Sequence, residues 1–200
     1  MKRNLLIKLT LVGIGICLLV VVVSFFTDPP KMTEPDPAEL FNPSANFTLT
    51  GTGGEPFQLQ DLRGKIVLLF FGYTSCPDAC PNTLAKLQRT FNRLSKEQIE
   101  RVRTVFISVD PERDNPKVLK EYIEYFGVNA IGLTGTKEEI DKVVKTYHAH
   151  YMIIPGETSN WYSINHTTTV FLHDKQGKVR YRSLYDETPE QLAEAIRQYL

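Results

Sequence analysis

A surplus of charge of either sign is missing from this chain: its 23 lysines and arginines are matched by 23 aspartates and glutamates over 200 residues. A protein that gains its affinity by neutralising phosphates needs a basic excess, so a general nucleic-acid binder is excluded. An acidic disordered chain is excluded too, because 42% of the residues are apolar or aromatic, enough for a core. Cysteine is scarce. Three in all, two of them close together, are too few to staple a small domain with disulfides.

The balanced total conceals an uneven distribution. Lys2, Arg3 and Lys8 fall in residues 1–26, which hold no acid; from residue 27 on, 20 basic residues face 23 acidic ones, a net of −3. Leu9 to Phe26 run without a charge. A helix of that length covers about 27 Å, close to the hydrocarbon thickness of a bilayer. The positive flank precedes it, so residues 1–8 are expected in the cytoplasm and 9–26 as a transmembrane anchor. A cleaved signal peptide needs a shorter apolar run and a small-x-small site, and Ser24-Phe25-Phe26 is a poor one. Cys17 reads as an apolar filler of the span. Residues 27–44 contain five prolines and read as a stiff, extended spacer. The globular domain is expected over 45–200, on the outer face of the membrane.

Within that domain Lys65–Tyr73 is a continuous apolar run, suited to a strand buried on both faces, and Val102–Val109 reads as a second buried strand. Leu84, Leu87, Phe91 and Leu94 lie three or four apart, one face of a helix starting at Pro81. Asn115 and Pro116 open a second helix that Gly127 stops. A short strand is expected at Ala130–Leu133. Thr136 to Glu139 form a capping box for a helix running to about His148. Thr167–His173 and Val179–Leu184 read as a hairpin around Asp174–Gly177. Thr188 and Pro189 start the last helix. The order β-α-β-α-β-α-β-β-α predicts an α/β domain with parallel early strands and an antiparallel late pair. With a cysteine pair just after the first core strand, that is a thioredoxin-like mixed central sheet flanked by helices.

The chemistry concentrates in Phe71-Gly-Tyr-Thr-Ser-Cys76-Pro-Asp-Ala-Cys80-Pro81. The pair lies where a buried strand turns into a helix, at the positive end of the helix dipole, which lowers thiol pKa and favours thiolates. Thiolates bind soft metals such as Cu(I). The spacing leaves a dithiol, a Cys76–Cys80 disulfide and a metal chelate all open. Imidazole is the natural third ligand. Of His148, His150, His166 and His173, His166 is placed in the loop entering a core strand, which packs against the cysteine turn in this fold. Thioredoxins carry a cis-proline there, and no proline lies between Pro155 and Pro189.

These pieces, together with Asp61-Leu-Arg-Gly-Lys65, Ser108-Val-Asp-Pro-Glu-Arg-Asp114 and Tyr162-Ser-Ile-Asn-His-Thr167, resemble the Sco/SenC family over residues 45–200. The family consists of membrane-anchored copper proteins of cytochrome oxidase assembly. The resemblance implies copper, as Cu(I) and Cu(II), held by Cys76, Cys80 and His166. It implies a metallochaperone that serves the binuclear copper centre of cytochrome c oxidase subunit II. Other extracytoplasmic copper carriers or thiol reductants would be further partners, and the location would be the bacterial inner membrane. The family usually has an acidic residue where Asn165 stands, next to the ligand histidine. A neutral amide there can orient the ring by hydrogen bonding but adds no charge.

The other readings are a tethered thiol-disulfide oxidoreductase acting through Cys76 and Cys80, and a thiol peroxidase or redox sensor. The CxxxC spacing and the missing cis-proline count against the first; no peroxidase-type cysteine context is visible for the second. Asp78 reads equally as a tuner of the thiols and as a turn residue; Asp110 and Asp114 read mainly as turn and cap residues. His148, His150 and Met152 alternate, so an extended stretch would put all three on one face as an auxiliary copper site.

Overall fold

The computed structural model describes residues 46–156 and 161–200. The expected anchor at 9–26, the spacer at 27–44 and Cys17 lie outside the described residues. Among the described residues no helix is long and apolar enough to cross a membrane.

Strand β3 (Ile66–Gly72) is buried at every position. Its side chains alternate between two cores, as a pleated strand requires. Ile66, Leu68 and Phe70 face one core; Val67, Leu69 and Phe71 face the other. This explains why the run is apolar without alternation: the strand has no solvent side. β4 (Val102–Ser108) lies parallel to β3, and β5 (Ala130–Thr134) parallel to β4. β8 (Val170–His173) pairs antiparallel with β3 and with β9 (Val179–Ser183). Two strands that periodicity left unnoticed, β1 (Thr48–Gly51) and β2 (Pro56–Gln58), extend the far edge. The sheet order is β2-β1-β5-β4-β3-β8-β9.

Helices α1 (Ala79–Phe91), α3 (Pro116–Phe126) and α5 (Pro189–Tyr199) cover the first core through Leu84, Leu119 and Ile196. α4 (Lys137–Thr146) covers the second through Ile140 and Val143. A short α2 (Lys96–Glu100), with Ser95 as N-cap, follows α1. The capping signals hold: Asn115, Thr136 and Thr188 each accept a backbone N–H of the first turn, and Gly127 closes α3 at φ 60°. The arrangement is the thioredoxin-like mixed sheet flanked by helices.

Three local expectations differ from the structure. α1 begins at Ala79, so Cys80 is already helical and Pro81 sits in the third position. Proline is tolerated there because the first four N–H groups have no intrahelical acceptor. The strand expected from Thr167 starts only at Val170. Residues up to His166 instead form β7 (Tyr162–His166), paired antiparallel with β6 (Tyr151–Pro155) in a separate two-stranded sheet. α4 ends at Thr146, and His148 turns with φ 49°. That left-handed residue breaks the extended run that was to align His148, His150 and Met152.

Candidate metal centre

The two cysteines come from one element and the histidine from another. Cys76 lies in the turn after β3, and Cys80 in the first turn of α1. The N–H of Cys80 donates to Cys76 Sγ (3.4 Å), and the N–H of Tyr73 donates to Cys80 Sγ (3.4 Å). Both sulfurs are therefore pinned by backbone donors. Cys80 is buried, Cys76 is half-buried, and neither is in a disulfide.

His166 closes β7 and is buried. Its Nε2 lies 3.4 Å from Cys80 Sγ and 3.9 Å from Cys76 Sγ. Its Nδ1 lies 3.0 Å from the carbonyl oxygen of Thr167. A carbonyl only accepts, so Nδ1 carries the proton and Nε2 turns its lone pair to the sulfurs. The ring-orienting role foreseen for Asn165 thus falls to the Thr167 carbonyl. Asn165 is exposed and lies opposite Met152 on β6. Adjacent strand residues face opposite ways, so Asn165 faces away from the sulfurs.

The three donor atoms lie within 4.8 Å of one another, and no other group of three such ligands occurs among the described residues. An ion about 2.0–2.3 Å from nitrogen and sulfur donors holds trigonal ligands about 3.5–4 Å apart. The spacing fits such an ion with little movement, and two sulfurs with one imidazole suit a soft one.

The thiols are unlike each other. Cys76 is pushed far below the usual thiol range, chiefly because it accepts from the Cys80 thiol, with the helix-start N–H groups adding to the effect. Cys80 is pushed up, because it is the donor in that bond and because it is buried. One proton is shared by the pair and held on the inner sulfur.

Several supporting residues carried no separate sequence signal. Gly72 is required by the sulfur: a Cβ there would stand 2.6 Å from Cys80 Sγ and 2.7 Å from the Phe106 ring. Tyr73 packs edge-on against His166 with centroids 5.8 Å apart, and its hydroxyl accepts the N–H of Ile164 (3.1 Å). Asp114 accepts from the Thr74 N–H (2.9 Å), the Thr74 hydroxyl (2.6 Å) and the Ser108 hydroxyl (2.6 Å). It is a fully buried brace of the cysteine loop, where the sequence suggested capping. Asp78 sits at the N-cap position of α1, and its carboxylate accepts from Asn82 Nδ2 (2.6 Å) rather than from the backbone. His173 is buried in the second core, bonded to the Tyr147 hydroxyl (2.8 Å), and belongs to packing.

The SCO1/SenC family profile matches residues 35–200. An SCO2-like protein of Rickettsia felis is 35% identical over 153 residues, covering 76% of this chain and 74% of that one. The copper-bound structure of Bradyrhizobium japonicum ScoI is similar with a TM-score of 0.71 and 35% identity, over 78% of this chain and 98% of that one. BsSco, a member of the Sco family of cytochrome c oxidase assembly proteins in which a disulfide switch was identified, is similar with a TM-score of 0.62 and 26% identity, over 78% and 92% of the two chains.

Proposed function

The chain belongs to the SCO1/SenC family, and from this premise we propose that it is a membrane-anchored copper carrier that holds the ion through Cys76, Cys80 and His166. It supplies copper to the binuclear centre of cytochrome c oxidase subunit II. Residues 9–26 anchor it in the bacterial inner membrane with residues 1–8 in the cytoplasm, and 27–44 stand the domain off the outer face. The observation that carries the reading is the convergence of two sulfurs and an imidazole lone pair within 4.8 Å. Copper seen in B. japonicum ScoI supports it, and the oxidase-assembly role of the family to which BsSco belongs supports the partner.

Copper binding displaces the proton that Cys80 keeps in the free protein. Cys76, half-exposed and held far below the usual thiol range, makes the first bond. Transfer is then an exchange of ligands, each copper–sulfur bond here being replaced by one on the acceptor, with no change of oxidation state.

The same asymmetry favours a second reading, a thiol reductant. The Cys76 thiolate attacks a disulfide of the target, and Cys80 resolves the mixed disulfide. The target gains two electrons and two protons, one from Cys80 and one from solvent, Cys76–Cys80 becomes a disulfide, and an outside dithiol must reduce it again.

Copper titration of the reduced full-length protein tests the choice. One tight equivalent is expected, lost in Cys76→Ala and in Cys80→Ala. His166→Ala is expected to weaken Cu(II) more than Cu(I), because two thiolates suffice for Cu(I). A cysteine variant with wild-type affinity for both states would sink the assignment. Reduction of a target disulfide without stoichiometric copper binding would favour the second reading.

A further inference from the structure

The loop between β4 and α3, residues 109–115, touches both halves of the candidate centre. Toward the cysteines, Asp114 holds Thr74, two residues before Cys76. Toward the histidine, Asp110 accepts from the Tyr162 hydroxyl (2.7 Å), and Arg113 Nε forms an ion pair with Asp110. Arg113 Nη1 donates to the carbonyl of Tyr162 (3.0 Å), and the guanidinium lies 3.6 Å from the centre of the Tyr162 ring. Its centre is also 5.6 Å from that of the Tyr73 ring, which packs on His166. Tyr162 opens β7 and His166 ends it four residues later, so both point to one face.

This attachment matters because, among the described residues, the β6–β7 hairpin pairs with no strand of the main sheet. Its backbone ladder is closed on itself. Besides the contacts of His166 with the two sulfurs, side-chain bonds that tie it to the body include the Arg113–Tyr162–Asp110 set, the Tyr73–Ile164 bond, and a bond from the Tyr151 hydroxyl to Asp141 (2.6 Å) at its other strand.

We propose that Arg113 is a positioning residue for His166, and that its clamp on Tyr162 sets how strongly the centre prefers Cu(II) to Cu(I). The proposal rests on the copper reading above. Cu(I) is satisfied by the two sulfurs, which the other end of the loop braces. Cu(II) depends on the imidazole, and the imidazole rides on the hairpin that Arg113 holds. The role needs arginine. A planar guanidinium bonds Asp110 and the Tyr162 carbonyl from two edges while its face lies on the ring, and a lysine ammonium cannot do all three.

The test uses full-length Arg113→Lys and Tyr162→Phe proteins, with Arg113→Met as the stronger perturbation. Cu(II) and Cu(I) affinities are measured by competition, and amide exchange of Ile164 is followed in the copper-free protein. Cu(II) affinity is expected to fall at least tenfold in Arg113→Lys while Cu(I) affinity stays within about twofold, with faster Ile164 exchange. Adding Arg113→Lys to His166→Ala should produce no further selective loss. Equal losses for both oxidation states, or no loss for either, would overturn the proposal, because a merely structural role lowers both. If Arg113→Met does not fold, the two milder variants decide. The Ile164 exchange reads the clamp without copper, so failure of the copper reading itself shows separately, as absence of binding in the parent.

Discussion

Gly72→Ala places one methyl group against the centre without touching a ligand residue. The added Cβ would stand 2.6 Å from Cys80 Sγ and 2.7 Å from a carbon of the Phe106 ring. Ordinary contact is about 3.5–4.0 Å, so the sulfur and the ring must together give way by about 1 Å on each side. Neither is the free end of a flexible chain. Cys80 is pinned by the Tyr73 N–H in the first turn of α1, and Phe106 packs edge-on against Phe70 at 5.0 Å between centroids. Overpacking of this kind costs about 1–3 kcal/mol. Replacing a strand glycine returns about 0.5–1 kcal/mol of backbone entropy. The net destabilisation is then at most about 2.5 kcal/mol and about 1 kcal/mol at the middle of these ranges, a fall in Tm of about 2–4 °C for a domain of this size. Copper affinity should fall for both oxidation states alike, since each uses the displaced sulfur, in contrast to the Cu(II)-selective loss expected at Arg113. Calorimetry of the copper-free protein and copper competition measure the two effects. An alanine variant with unchanged or raised Tm and wild-type affinity would refute the close-approach role of this glycine.

The unlike thiols predict that limiting iodoacetamide near pH 6 alkylates Cys76 before Cys80, read by peptide mass mapping; first modification at Cys80 would contradict the shared-proton arrangement. Burial of His173 among apolar side chains lowers its pKa from 6.5 to about 4. Below pH 6.5 the unfolded chain takes up a proton that the folded one refuses, so stability falls as pH drops from 6.5 to about 4, by about 3 kcal/mol in all at 1.36 kcal/mol per unit. Urea unfolding across that window should be steeper in the parent than in His173→Gln, and parallel curves would exclude the histidine as a cause.

Local signals in the chain determined most of the scaffold and the inner half of the site. Ile66–Gly72 reads as a buried strand because the run offers no polar face, and Val102–Ser108 reads as a second through Val105, Phe106 and Ile107. Asn115, Thr136 and Thr188 marked helix starts by chemistry that acts over three residues. Cys76 and Cys80, four apart at a strand-to-helix turn, declared a soft-metal or redox site with no knowledge of the fold. What tertiary structure alone decided depends on groups far apart in sequence. β1 and β2 are short, and their partners are set by the sheet edge they complete. The β6–β7 ladder is held by pairing between residues as distant as Tyr151 and His166, which no period within either segment announces. His166 was found by its place before a core strand, but the Thr167 carbonyl that turns its lone pair inward is a matter of backbone direction at one residue. Asp114 reads in sequence as a residue beside a helix start, because turn chemistry and buried bracing use the same side chain. Only the packing that brings Thr74 to within hydrogen-bond reach, across forty positions, gives its carboxylate the second task.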